Sequence, residues 1–152
     1  MFVVKFNSRE KVADMAAKDR FHHRVKQALI DDGWNITDDP FYLKVGGVEF
    51  FIDLGAEKLI AAERNGQRIA VEIKSFINPS KISDFHLAIG QFLNYRTALK
   101  VKYPERQLFL AIPEFTYDNF FQKEFPQIAI AEHQIALIIV DIDNEEIVRW
   151  IT

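Results

Sequence analysis

Apolar residues near the start of the chain recur at helical spacing. Phe21, Val25, Ala28 and Leu29 stand at i, i+4, i+7 and i+8, one face of an amphipathic helix over residues 16–32. Gly33 is a helix stop. The segment after it changes period. Residues 34–37 and 41–45 read as extended, with Asp38-Asp39-Pro40 as a turn between them, and Gly46-Gly47 marks a hairpin. Residues 48–54 are rich in β-formers. Residues 59–63 read as a strand, although the Ala-rich stretch 56–64 also suits a helix. Asn65-Gly66 fits a type I′ hairpin turn. Residues 68–76 then alternate strictly, with Ile69, Val71 and Ile73 on one face. The longest helical pattern covers 82–102, with Phe85, Ile89, Phe92, Leu93 and Leu99 as its buried stripe. Beyond it come an apolar strand at 107–112, a helix at 114–122 and an ambiguous stretch at 127–132. A strand at 135–141, a turn at Asp143-Asn144 and a strand at 146–151 complete the pattern. This order predicts a mixed α/β sandwich around a central sheet. The first 14 residues lack this order and are expected to form an extension, 1–14, ahead of one domain, 15–152, with Met15 as a second candidate start.

Composition narrows the classes. The 152 residues suit one core, and 49% hydrophobic with 27% charged residues is ordinary for a soluble protein. The fourteen Phe predict a large aromatic core. No apolar run reaches the roughly 18–20 residues of a membrane span, and no signal peptide is evident. With no Cys, disulfides, Cys-ligated zinc and a Cys nucleophile are excluded, and a reducing, cytoplasmic location is expected. A net charge of −3 is not the footprint of a protein that holds DNA by charge alone. A nucleic-acid role therefore needs a local patch, a metal ion or a basic partner.

The chemistry concentrates at three positions. Residues two apart on a strand share a face, so Glu72 and Lys74 project together while Val71 and Ile73 bury behind them. If the strand ending at Asp53 is a neighbour, its carboxylate meets that pair. Two carboxylates suit Mg²⁺, or equally Mn²⁺, which keeps several waters and needs few protein ligands. A lysine beside them can orient water or stabilise phosphoryl charge. Taken alone, Glu-x-Lys on a strand is most simply a solvated face. Gln91 and Tyr95 stand one helical turn apart, off the Ile89–Phe92–Leu93 stripe, and can hold a phosphate, a base edge or the lysine. The four His have no zinc-ligand spacing. Lys18, Arg20, Arg24 and Lys26, and also Lys100, Lys102 and Arg106, make two locally basic stretches whose default is solvation.

Asp53, Glu72-Ile73-Lys74 and Gln91-Phe92-Leu93-Asn94-Tyr95 together resemble the PD-(D/E)XK nuclease superfamily, with the last stretch similar to the Gln-x-x-x-Tyr motif of its RecB-like members. Ile52 stands where the superfamily's name has Pro. A closer resemblance runs from Met15 onward. Lys18-Asp19-Arg20-Phe21-His22, Asp32-Gly33-Trp34-Asn35-Ile36-Thr37 and Asp53-Leu54-Gly55-Ala56-Glu57 are similar to the fdxN-element excision controlling factor family, XisH. So are Ala62-Glu63, residues 69–76, Gly90-Gln91 and Leu110-Ala111-Ile112-Pro113.

This resemblance implies a restriction-endonuclease-like core, a mixed central sheet flanked by helices. It implies Asp53 and Glu72 as ligands of Mg²⁺ or Mn²⁺, with Lys74 assisting water and Gln91 and Tyr95 positioning substrate or Lys74. Many members of the superfamily place a Glu on the first helix; here His22 or Asp19 is the nearest equivalent. The resemblance also implies a largely cyanobacterial family tied to DNA-element excision in heterocyst development, with DNA and a companion protein, XisI, as partners. A homodimer is a further possibility. The expected function is a metal-dependent nuclease linked to DNA excision. A non-catalytic accessory factor that keeps the fold for DNA or protein binding is the alternative, and a defence-type nuclease restrained by its companion is a third reading.

Overall fold

The computed structural model describes residues 8–50 and 58–152. Helix α1 (Ser8–Asp31) buries the predicted face, Phe21, Val25, Ala28 and Leu29. It ends in paired bonds, Trp34 N–H to the Leu29 carbonyl at 2.9 Å and Gly33 N–H to the Ile30 carbonyl at 3.0 Å. That closure needs the left-handed φ of +96° at Gly33, which a side chain disfavours. The helix starts at Ser8, inside the segment expected to be an irregular extension. Arg9, Glu10, Lys11, Ala13, Ala16 and Ala17 are good helix formers, so a helix nucleated by the packed turns downstream propagates backward on propensity.

The strands are β1 (Asn35–Asp38), β2 (Leu43–Val45), β3 (Val48–Phe50), β4 (Leu59–Arg64), β5 (Gln67–Ile73), β6 (Gln107–Pro113), β7 (Leu137–Asp141) and β8 (Glu146–Ile151). Six of them form one sheet in the order β1-β4-β5-β6-β7-β8, and β2 and β3 form a separate pair. The β5–β6 and β6–β7 pairs are parallel and the rest of the large sheet is antiparallel. The first parallel crossover is α2 (Lys81–Lys102). The second is α3 (Glu114–Asp118), a 3₁₀ turn at Phe120–Gln122 and α4 (Glu124–His133). The single helix expected at 114–122 is thus broken at Asn119, and the ambiguous stretch 127–132 is helical.

Hydrophobic burial divides the domain into layers. On one face of the sheet, Ile69, Val71 and Ile73 pack with Phe21, Val25 and Leu29 of α1. On the other, Leu59, Ala61, Ala70, Leu110 and Ile112 pack with Phe85, Phe92 and Leu99 of α2 and with Phe121. Strand β4 settles the helix-or-strand ambiguity. Leu59, Ile60, Ala61 and Ala62 are all buried, with alternate residues in opposite layers, the pattern of a strand covered on both faces. Asn65 and Gly66 take φ of 50° and 82° in the β4–β5 turn, and Gly46 and Gly47 take 59° and 80° between β2 and β3, as type I′ hairpins require.

Candidate functional site

Glu72 lies on central strand β5, opposite Leu59 of β4 and Leu110 of β6. Both neighbours belong to the α2-side core, so Glu72 faces that layer. Lys74 follows just past the end of β5, and its N–H donates to the Ala111 carbonyl at 3.0 Å. Side-chain exposure is not what a solvated acid–base pair has: Glu72 is 1% exposed and Lys74 4%. The solvated-face reading of Glu72-x-Lys74 is therefore wrong. Acids and lysines are almost never this buried unless something compensates them.

Tyr95 completes this cluster from α2. It is 7% exposed and belongs to the core stripe with Phe85, Ala88, Ile89, Phe92, Ala98 and Leu99, contrary to the reading that put it off the stripe. The buried face of α2 is wide enough at 3.6 residues per turn to include it. Burial, and then the negative charge of Glu72, push the Tyr95 phenol up to about 12. It therefore stays a neutral hydrogen-bond donor throughout the physiological range. Its ring lies 5.9 Å from that of Phe50. Gln91, one turn earlier, is half-buried at the margin of the same face.

The turn leaving β5 is held by residues that pattern-reading missed. The strand ends at Ile73 rather than continuing to Phe76, and Phe76 has a left-handed φ of 56°. Such a conformation costs a non-glycine residue about 1–2 kcal/mol and needs its surroundings to hold it. Edge-to-face packing on Phe121 at 5.3 Å does so from one side. From the other, Lys81 Nζ donates to the carbonyls of Phe76 at 2.7 Å and Asn78 at 2.9 Å. Asn78 Oδ1 accepts from Ser80 N–H, and Ser80 Oγ accepts from Ser83 N–H, capping α2. The Ser80-x-x-Ser83 spacing after Asn78-Pro79 was the available signal.

The remaining candidates divide. His22 is buried on α1, whereas Asp19 and His23 are exposed; α1 packs on the Ile69–Val71–Ile73 layer, the face opposite α2. Asp53 lies outside the described residues. Strand β3, which precedes it, pairs with β2. The chain re-enters at Lys58, whose carbonyl accepts from Ile73 N–H at 2.7 Å. Both described flanks of the 51–57 segment thus touch this site, Phe50 at Tyr95 and Lys58 beside Glu72. Among the described residues no group of three or more His, Asp or Glu is arranged to hold a metal. The carboxylate of Glu72 is nonetheless the hard oxygen donor that Mg²⁺ or Mn²⁺ takes, and such ions accept one or two carboxylates with water completing the shell.

Several cations in the basic stretches have structural duties. Arg24 Nη1 donates to the Ile142 carbonyl at 2.6 Å, Lys26 pairs with Asp39, and Arg106 Nη1 donates to the Ile69 carbonyl at 2.8 Å. No helix among the described residues is long and apolar enough to cross a membrane.

The fold and site define a mixed α/β domain with a central mixed sheet flanked by helices and a buried acid–lysine pair at the end of its middle strand. Residues 15–148 match the model of the family described as XisH protein. An XisH family protein from Nostoc punctiforme PCC 73102 is similar at 52% identity and a TM-score of 0.83, with 88% of this chain and 100% of that one covered. An fdxN element excision controlling factor protein from Anabaena variabilis is similar at 52% identity and a TM-score of 0.82, covering 88% of this chain and 99% of that one. No curated protein matches. The chain belongs to the XisH family.

Proposed function

We propose that this chain is a divalent-metal-dependent phosphodiesterase of restriction-endonuclease-like fold that acts on DNA during excision of a DNA element. The observation that carries the reading is the burial of Glu72 and Lys74 at the end of the central strand, beside a Tyr95 that senses the charge of Glu72. Burying two ionisable groups costs several kcal/mol each. The name of the Anabaena variabilis relative supports the link to excision control.

Glu72, with Asp53 from the adjoining segment, would hold Mg²⁺ or Mn²⁺; His22, on the helix packed against the opposite face of the sheet, is not part of that set. A bound ion would polarise the phosphoryl oxygen and lower the pKa of water. The chain's own groups do the rest. Lys74 donates to the attacking water or to a phosphoryl oxygen as negative charge accumulates there. Water oxygen bonds to phosphorus and releases a proton to solvent, the bond to the leaving oxygen breaks, and that oxygen takes up a proton from solvent, so the protons balance. Tyr95, held neutral, donates a hydrogen bond that fixes the carboxylate or the phosphate, and Gln91 lines the approach.

The same burial favours a second reading, an accessory factor. At 1% and 4% exposure, Glu72 and Lys74 are closed to a substrate unless neighbouring chain moves. Calorimetric titration of Mg²⁺ and Mn²⁺, with plasmid and single-stranded DNA cleavage in the same buffers, separates the readings. For the nuclease, Asp53→Ala/Glu72→Ala abolishes metal binding and cutting, while Lys74→Met abolishes cutting and leaves metal binding intact. Wild-type protein that binds no metal sinks the nuclease reading and leaves the accessory one. Wild type that binds metal but cuts only after a partner is added makes that partner responsible for opening the site.

A further inference from the structure

A second cavity, of about 200 Å³, lies at the opposite end of the central strands from Glu72. Its walls come from α2, the segment leading into β6 and the segment leading into β7. Arg96, Lys100 and Arg106 line it together with Gln107 and Gln134, over an apolar floor that includes Phe92. No carboxylate is among its lining residues. Glu105, next in sequence to Arg106, faces away to Arg68 at 4.0 Å and lines a different cleft. Arg106 reaches across to the carbonyl of Ile69. Ile69 is three residues before Glu72, which is about 10 Å along an extended strand, so the two sites are separate.

The cations are held in place. The Arg106 guanidinium lies 5.0 Å from the Phe41 ring and 5.9 Å from that of Tyr103, and the Arg96 guanidinium lies 5.5 Å from the Phe92 ring. Arg96 Nη1 donates to the carbonyls of His133 at 2.7 Å and Gln134 at 3.2 Å, closing the C-terminus of α4. Those bonds use only part of each guanidinium's donors. Arg106 Nε is buried without a hydrogen-bond partner among the described residues. Lys100 is exposed and makes no ion pair among them. Charge decides the ligand class. The C-terminal ends of α2 and α4 each contribute roughly half a negative charge, against three full positive ones. About two positive charges remain, and the two arginines present planar forks that match tetrahedral oxyanions.

We infer that this cavity binds a phosphate group, either on a polynucleotide backbone or as a free phosphate or phosphomonoester. It gives a chain of net charge −3 the local positive site that phosphate recognition requires, independently of whether Glu72 supports catalysis.

The test is binding in EDTA buffer, which removes divalent cations from the Glu72 site. Inorganic phosphate is titrated and followed by NMR shifts, and a short single-stranded oligodeoxynucleotide is followed by fluorescence anisotropy. Lys100→Glu, which alters no structural bond, weakens binding at least tenfold. Where the oligonucleotide binds, it also lowers the log–log salt slope by about 0.7, the value for one single-strand phosphate contact. Lys123→Glu, an equal charge change at the far end of α4, leaves binding unchanged. Loss confined to the oligonucleotide identifies the backbone phosphate as the ligand. Loss confined to inorganic phosphate identifies the free anion, and loss of both identifies the phosphate group in either setting. Wild type that binds neither probe overturns the inference. So does Lys100→Glu that binds like wild type, or Lys123→Glu that weakens binding equally.

Discussion

Replacing Tyr95 by Phe isolates the electrostatic link between α2 and the Glu72 strand. The phenol ordinarily titrates at 10.0 and here at about 12, because burial and then the charge of Glu72 oppose phenolate. The folded state therefore keeps a proton that the unfolded chain releases. Stability from this group is fully present below pH 10 and is lost as pH rises through about 12. Two units correspond to about 2.7 kcal/mol in full, and about 1.3 kcal/mol of it disappears between pH 9 and pH 11. Urea denaturation of metal-free protein at those two pH values should show wild type losing about 1.3 kcal/mol more than Tyr95→Phe. Other alkaline titrations, lysines included, are common to both proteins and largely cancel in the difference. Phenolate absorbance supplies the direct readout, with one of the four tyrosines lagging the others. Glu72→Gln should move that lagging midpoint down by the smaller part of the shift, since burial is the larger cause. Absence of a late phenolate component that Tyr95→Phe removes, or equal pH slopes in wild type and Tyr95→Phe, would refute the placement of Tyr95 beside Glu72.

Three further substitutions probe the frame around the site by urea denaturation at neutral pH. Phe85→Ala removes a ring that meets Phe120 and Phe121 at 5.6 Å and Phe125 at 6.4 Å and should cost about 3–5 kcal/mol; a loss below about 1 kcal/mol would mean the cluster is not packed as described. Gly66→Ala adds a methyl that meets nothing within 4 Å but must hold a φ of +82°, so a loss of about 1 kcal/mol is expected from backbone strain alone. Gly90→Ala is its counterpart. On the exposed side of α2, also with nothing within 4 Å, it should stabilise by about 0.5–1 kcal/mol, and a loss there would reveal a neighbour at that surface.

Much of the frame was legible because it is local. The 3.6-residue spacing of Phe21, Val25, Ala28 and Leu29, the alternation along β5, the limits of α2 and the Asn65-Gly66 and Gly46-Gly47 turns each follow from a few consecutive residues. The start of α1 was misread because helix propensity without an apolar stripe leaves no periodic signal. The left-handed Phe76 was misread because what holds it, the Phe121 ring and the Lys81 ammonium, is supplied from elsewhere in the fold.

By itself the sequence determined most of the helices, strands and tight turns, because those choices depend on side-chain periodicity and backbone preference within a turn or two. Only the tertiary structure decided the order of strands in the main sheet, with β5 between β4 and β6. It alone put Tyr95 inside the core beside Glu72 and withdrew Glu72 and Lys74 from water. It alone gathered Arg96, Lys100 and Arg106 around one cavity. Burial, and with it the energy of every charge, depends on which distant segments the fold packs against a residue.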